Sequence, residues 1–108
     1  MKILEWSMTI PKSKQESFVK WFNEVSKDAF SCFGAKKHEL YKIEDKEVLG
    51  IQTIEKNRFV ERIYFDNEYD FTNFFRRVKS NPVTRHLSRM YEEDYGATNI
   101  QLRVLVKQ

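Results

Sequence analysis

The chain has 108 residues, 41% of them hydrophobic and 32% charged, with a formal net charge of +3. That composition fits one globular domain, far from the disordered regime and able to bury roughly two thirds of its unfolded surface. Three glycines leave no Gly-rich phosphate loop, the single Cys32 excludes an internal disulfide or a Cys-based zinc cluster, and no run approaches the roughly 18 apolar residues of a membrane span. Lys2 and Glu5 interrupt the N-terminal apolar residues and Pro11 follows, so no signal-peptide core is expected and the chain reads as cytoplasmic.

From Lys2 to Ile10 the residues alternate, with Leu4, Trp6, Met8 and Ile10 on one face and Glu5, Ser7 and Thr9 on the other, which predicts a half-buried strand. Pro11 ends it. Ser13 and Glu16 form a capping-box pattern, and Phe18, Trp21, Phe22, Val25, Ala29 and Cys32 then follow at helical spacing, a stripe suited to covering a sheet. Gly34 is the expected residue just past that helix. Lys36 to Ile43 and Val48 to Ile54 flank the polar turn Glu44-Asp45-Lys46-Glu47 and predict a hairpin; after a second turn at Lys56-Asn57, Arg58 to Phe65 is a further strand. Asp66 or Asn67 caps a helix with Phe71, Phe74, Phe75 and Val78 on one face. Ser80-Asn81-Pro82 breaks it, and Asn81 as N-cap with Pro82 at the first helical position restarts a helix with the stripe Val83, Leu87, Met90 and Tyr91. Gly96 closes that helix, and Thr98 to Lys107 alternates as the last strand.

The order βαβββαβ predicts an α+β, ferredoxin-like plait: a single domain over 1–108, its antiparallel sheet covered by helices on one face. The covered face collects Leu4, Trp6, Met8, Ile63, Phe65, Ile100, Leu102 and Val104; the other collects Glu5, Ser7, Thr9, Arg62, Tyr64, Gln101, Arg103 and Leu105. The mixed second face suits a symmetric homodimer packed through the sheet, in which Glu5, Arg62 and Arg103 need partners. Between helices and sheet, Trp6, Trp21, Phe65 and Phe75 are candidates to line a pocket for a small, mostly apolar or aromatic ligand; core packing is the ordinary role of the two Trp side chains.

The remaining chemistry is sparse. His86 has no carboxylate at a helical i+3 or i+4 offset, and Glu39 beside His38 points to the opposite strand face, so no metal site is expected and each His reads as a surface or hydrogen-bonded group. Cys32 reads as an inert core thiol. Arg76, Arg77, Lys79, Arg85, His86 and Arg89 span the helix break without an acidic residue between Arg76 and Arg89. Arg85, His86 and Arg89 form a candidate anion patch beside the Pro82 helix start, with a solvated helix face as the plainer reading. Specific nucleic-acid binding is not expected, because Arg58 to Phe65 lacks the glycines of an RNA-stacking strand and Glu61 opposes phosphate.

Phe65-Asp66-Asn67-Glu68-Tyr69-Asp70-Phe71 and Ser80-Asn81-Pro82-Val83 resemble motifs of the dimeric α+β-barrel superfamily, in particular its antibiotic-biosynthesis-monooxygenase-like group. The resemblance implies a homodimer, and it departs from the group in the additional strand between Lys36 and Phe65. Haem-degrading members use an Asn on the first strand, a Trp ending the strand before the second helix and a His on that helix. Here those places hold Glu5-Trp6-Ser7, Phe65 and Ser88, with His86 about 200° round the helix from Ser88, so haem degradation is not implied and no cofactor is expected. The expected function is binding of a small, mostly apolar molecule between helices and sheet. A cofactor-independent monooxygenase or isomerase in the same pocket, and a nucleic-acid or protein adaptor at the basic helix break, are the alternatives.

Overall fold

The computed structural model describes residues 1–52 and 55–108. The chain runs through β1 (Lys2–Thr9), α1 (15–31), β2 (Lys37–Lys42), β3 (Glu47–Val48), β4 (Ile51–Gln52), β5 (Arg58–Phe65), α2 (Glu68–Ser80), α3 (Pro82–Glu93) and β6 (Thr98–Val106). Strands β2, β5, β1 and β6 lie in that order in a four-stranded antiparallel sheet, with Leu4 opposite Ile63 on one side and Val104 on the other. Helices pack on one face only, as the alternation in β1 and β5 requires.

The segment between β2 and β5 corrects one expectation. Among the described residues, Lys36 to Ile43 does not pair with the following segment; β2 pairs along β5, placing His38 opposite Ile63. Strands β3 and β4 form a separate two-residue ribbon turned by Leu49 and Gly50, both at positive φ. Val48, Leu49 and Ile51 are exposed there, so no buried apolar face ties the ribbon to the sheet. The expected strand from Val48 to Ile54 lies partly outside the described residues. The turn at Lys56-Asn57 is present, with Asn57 at φ 57° and its carbonyl accepting from Ile10 N at 3.0 Å.

Helix α1 departs from its expected register. Its middle turn, Phe22–Ser26, is a π-helix, which admits an extra residue and underwinds the helix. The buried stripe therefore runs Phe18, Phe22, Ser26 and Phe30, in steps of four, with Trp21 beside it. Val25 and Cys32 are exposed, contrary to expectation, and Cys32 is not a core thiol. The Ser13–Glu16 capping box is absent as well: a 3₁₀ turn at Lys12–Lys14 precedes the helix, and no side chain caps it. Instead Gln15 donates from Nε2 to the Ile10 carbonyl and to Asn57 Oδ1, both at 2.9 Å.

The helix break behaves as its residues dictate. Asn67 Oδ1 accepts from Asp70 N at 2.9 Å, and Asn81 Oδ1 accepts from Val83 N at 2.9 Å, with Pro82 opening α3. Val83, expected inward, is 61% exposed. The inward stripe starts one residue later at Thr84, whose hydroxyl donates to the Val78 carbonyl at 2.8 Å, and continues through Leu87 and Tyr91. Gly96, at φ 67°, ends α3 with Ala97 N donating to the Tyr91 carbonyl at 2.9 Å.

Candidate functional site

Two aromatic clusters fill the layer between helices and sheet. Phe18, Trp21, Phe59, Tyr91 and Tyr95 pack at one end, with Trp6 stacked on Tyr91 at 4.9 Å. Phe65, Phe71, Phe74 and Phe75 pack at the other. A cavity of about 280 Å³ opens next to them. Sheet residues Leu4, Trp6 and Ile63 meet helix residues Phe30, Phe74, Phe75, Val78 and Ser88 around it, and Ile100 and Leu102 form its rim. Two polar side chains join this apolar wall: His38 from β2 and Glu61 from β5.

Glu61 occupies the helix-facing side of β5 because it shares parity with Phe59, Ile63 and Phe65. Both His38 and Glu61 side chains are 1% exposed, and His38 Nε2 lies 2.8 Å from Glu61 Oε1. Tyr91 donates its hydroxyl to the same oxygen at 3.1 Å, and Ser26 Oγ lies 2.7 Å from the Tyr91 oxygen. A hydroxyl carries one hydrogen, and that of Tyr91 goes to Glu61, so Ser26 is the donor to Tyr91. Burial, then the Glu61 charge, pushes the Tyr91 phenol well above its ordinary value of 10.0, so it stays a donor. The Phe22 and Phe30 rings stand nearly perpendicular to the imidazole, with centroids 4.9 and 6.3 Å away. His38 Nδ1 and Glu61 Oε2 are buried without a hydrogen-bond partner.

The structure brings Trp6 and Phe75 together at the cavity, while Trp21 and Phe65 pack in the flanking aromatic clusters. Ser88 lines the cavity, and its hydroxyl donates to the Thr84 carbonyl at 2.8 Å. His86 is exposed, as its angular separation from Ser88 demands. Arg85 and Arg89 are exposed with it, outside the cavity. Glu61, read from the sequence as opposing phosphate, is buried under the helices instead. Among the described residues, no three His, Cys, Asp or Glu side chains gather as metal ligands.

On the open face of the sheet, Glu5 is 3% exposed and supplies partners for both neighbouring cations. Its Oε2 accepts from Arg62 Nε at 3.1 Å, and its Oε1 accepts from Arg103 Nε at 3.0 Å. Burial alone raises the Glu5 carboxyl, but the hydrogen bonds and charges of Arg103, then Arg62, outweigh it and hold it below 4.5. Arg58 is buried beside them, donating to Ser7 Oγ at 2.9 Å and Thr9 Oγ1 at 3.1 Å. On the opposite side of the edge strand β6, Leu102, Val104 and Val106 are 58%, 46% and 53% exposed, so the helices do not cover this end of the expected apolar face.

No protein-family model matches the sequence, and no curated protein matches it. Solved structures do. HapK from Hahella chejuensis superposes with a TM-score of 0.70 at 9% identity, covering 100% of this chain and 93% of that one. A dimeric ferredoxin-like protein from an uncultured marine organism gives 0.68 at 15% identity, covering 99% and 94%. A candidate antibiotic biosynthesis monooxygenase from Deinococcus radiodurans gives 0.66 at 10% identity, covering 100% and 93%. No helix among the described residues is long and apolar enough to cross a membrane. The chain therefore has a ferredoxin-like fold, similar to the folds of these proteins.

Proposed function

We propose that this chain is a homodimeric α+β-barrel protein that takes a small, mostly apolar molecule into the cavity between helices and sheet. The carrying observation is the cavity of about 280 Å³ with an apolar wall and a hydrogen-bonded polar end. A dry apolar cavity of about 150 Å³ accepts benzene, so this one suits one or two rings. Its volume sits just under the about 300 Å³ at which ligand pockets usually begin, which argues for a small occupant. The exposed apolar rim at Ile100 and Leu102 gives such a molecule a way in.

Assembly rests on the open face and on the neighbours. Glu5, Arg62 and Arg103 compensate one another within the protomer, so covering that face leaves no unpaired carboxylate. Two of the structural neighbours bear the name dimeric ferredoxin-like protein. Calorimetric titration with nitrobenzene tests the pocket: saturable binding is expected, and Ser88→Phe, which projects a ring into the cavity, should abolish it. No saturation in the wild type, or binding unchanged by Ser88→Phe, contradicts this function.

A further inference from the structure

We infer that His38 is a general base for a weakly acidic hydroxyl on the molecule held in the cavity, with Glu61 as its positioning residue. The inference rests on the apolar-pocket reading above and adds the chemistry of its polar end. A carboxylate only accepts hydrogen bonds. Glu61 Oε1 already accepts from Tyr91, so the 2.8 Å contact to His38 places the imidazole hydrogen on Nε2. The lone pair of the neutral ring is then on Nδ1. Among the described residues, that atom and Glu61 Oε2 are the buried side-chain nitrogen and oxygen atoms without a hydrogen-bond partner, and both residues line the cavity. The polar end is thus a pair of acceptors in an apolar wall.

Such an end selects its occupant by what it lacks. A ketone or ether would bring a further acceptor and leave every lone pair unmatched, at a cost of about 1–3 kcal/mol for each buried group. A ring hydroxyl supplies the missing donor and keeps an apolar body for Trp6, Phe75, Ile100 and Leu102. In the proton transfer the O–H bond breaks, an N–H bond forms on Nδ1, and the electron pair stays on the oxygen. The resulting imidazolium lies against the Glu61 carboxylate, which is held in place by Tyr91 and, behind it, Ser26. The phenolate then accepts a hydrogen bond from Nδ1–H, and the proton returns on release. No oxidant or second reactant enters this step. The groups facing His38 are Glu61 from β5 and the apolar rings of Phe22 and Phe30 from α1.

The test uses 4-nitrophenol, whose phenolate absorbs at longer wavelength than the phenol, and nitrobenzene as the isostere without the hydroxyl. At one pH unit below its solution pKa about one tenth of free 4-nitrophenol is ionised. On the wild-type protein it should bind mainly as phenolate, with the long-wavelength band appearing in proportion to occupancy. His38→Gln should lose that band and still bind nitrobenzene, which reports a folded pocket; Glu61→Gln should weaken the band with the imidazole still present. Wild-type protein that binds 4-nitrophenol as the neutral phenol overturns the inference, as does a phenolate band that persists in His38→Gln. Failure of nitrobenzene to bind the wild type overturns the pocket itself and identifies that as the point of failure.

Discussion

At the scale of single residues, the interior depends on a few buried polar groups that hydrogen-bond to one another. Tyr91→Phe removes the donor to Glu61 Oε1 and the acceptor for Ser26 Oγ, and should cost about 1–3 kcal/mol in urea unfolding. An unchanged midpoint would mean that the relay carries no stability. Phe22, 1% exposed, packs its ring against His38, and Phe22→Ala should cost about 3–5 kcal/mol. Glu5 sets a pH dependence. Its folded-state pKa lies below 4.5, so its contribution is complete above 4.5 and fades as pH falls through the folded-state value. With Arg62 and Arg103 both replaced by Leu, burial alone remains, the folded-state value rises, and the protein should lose stability as pH increases instead. Thermal melts from pH 3 to 7 read the difference in slope. Half of the polar site was legible at this scale. The parity of Phe59, Glu61, Ile63 and Phe65 puts a carboxylate among core side chains, a signal available from the sequence alone. Its partner was hidden, because His38 is 23 positions away and meets Glu61 only through the β2–β5 pairing. Assigning β2 to a local hairpin removes that contact.

Elements show where periodicity suffices and where it fails. The caps at Asn67 and Asn81 follow from local chemistry, since their side chains reach only the next two or three backbone N–H groups. Asn81→Ala should cost about 1 kcal/mol, and a chemical-denaturation midpoint within error of wild type would contradict that role. The π segment is different. An α-helical period carries the apolar stripe from Phe22 to Val25 and Ala29, whereas the widened turn carries it to Ser26 and Phe30. Tertiary packing decides between these, because Ser26 donates to Tyr91 from α3 and Phe30 reaches the cavity. Deleting Glu24 removes the extra residue that the widened turn admits and leaves Phe30 seven positions after Phe22, still on the buried face of a regular helix, so the variant should keep most of its stability. A loss of several kcal/mol in urea unfolding would show that the widened turn does more than absorb one residue. The basic residues at the helix break remain on the solvent side of α2 and α3, away from the cavity, which fits the plainer of their two readings.

For the whole molecule, the plait was legible because β1, β5, α2, α3 and β6 each carry a clear period, and the strand order follows from pairing them without crossed connections. The uncovered apolar side of β6 was not, because alternation states which side chains share a face and says nothing of how far the helices reach across it. Light scattering should give twice the 13.1 kDa chain mass at micromolar concentration, as a stable symmetric interface of about 800 Å² per partner requires; the mass of one chain would remove the dimer while leaving the pocket intact. The most direct measurement is a crystal structure of the protein soaked with 4-bromophenol, read from the anomalous signal of bromine. The ring should lie among Trp6, Phe75, Ile100 and Leu102 with its oxygen within hydrogen-bonding distance of His38 Nδ1. A cavity left without bromine, with the compound bound only elsewhere, would contradict the account.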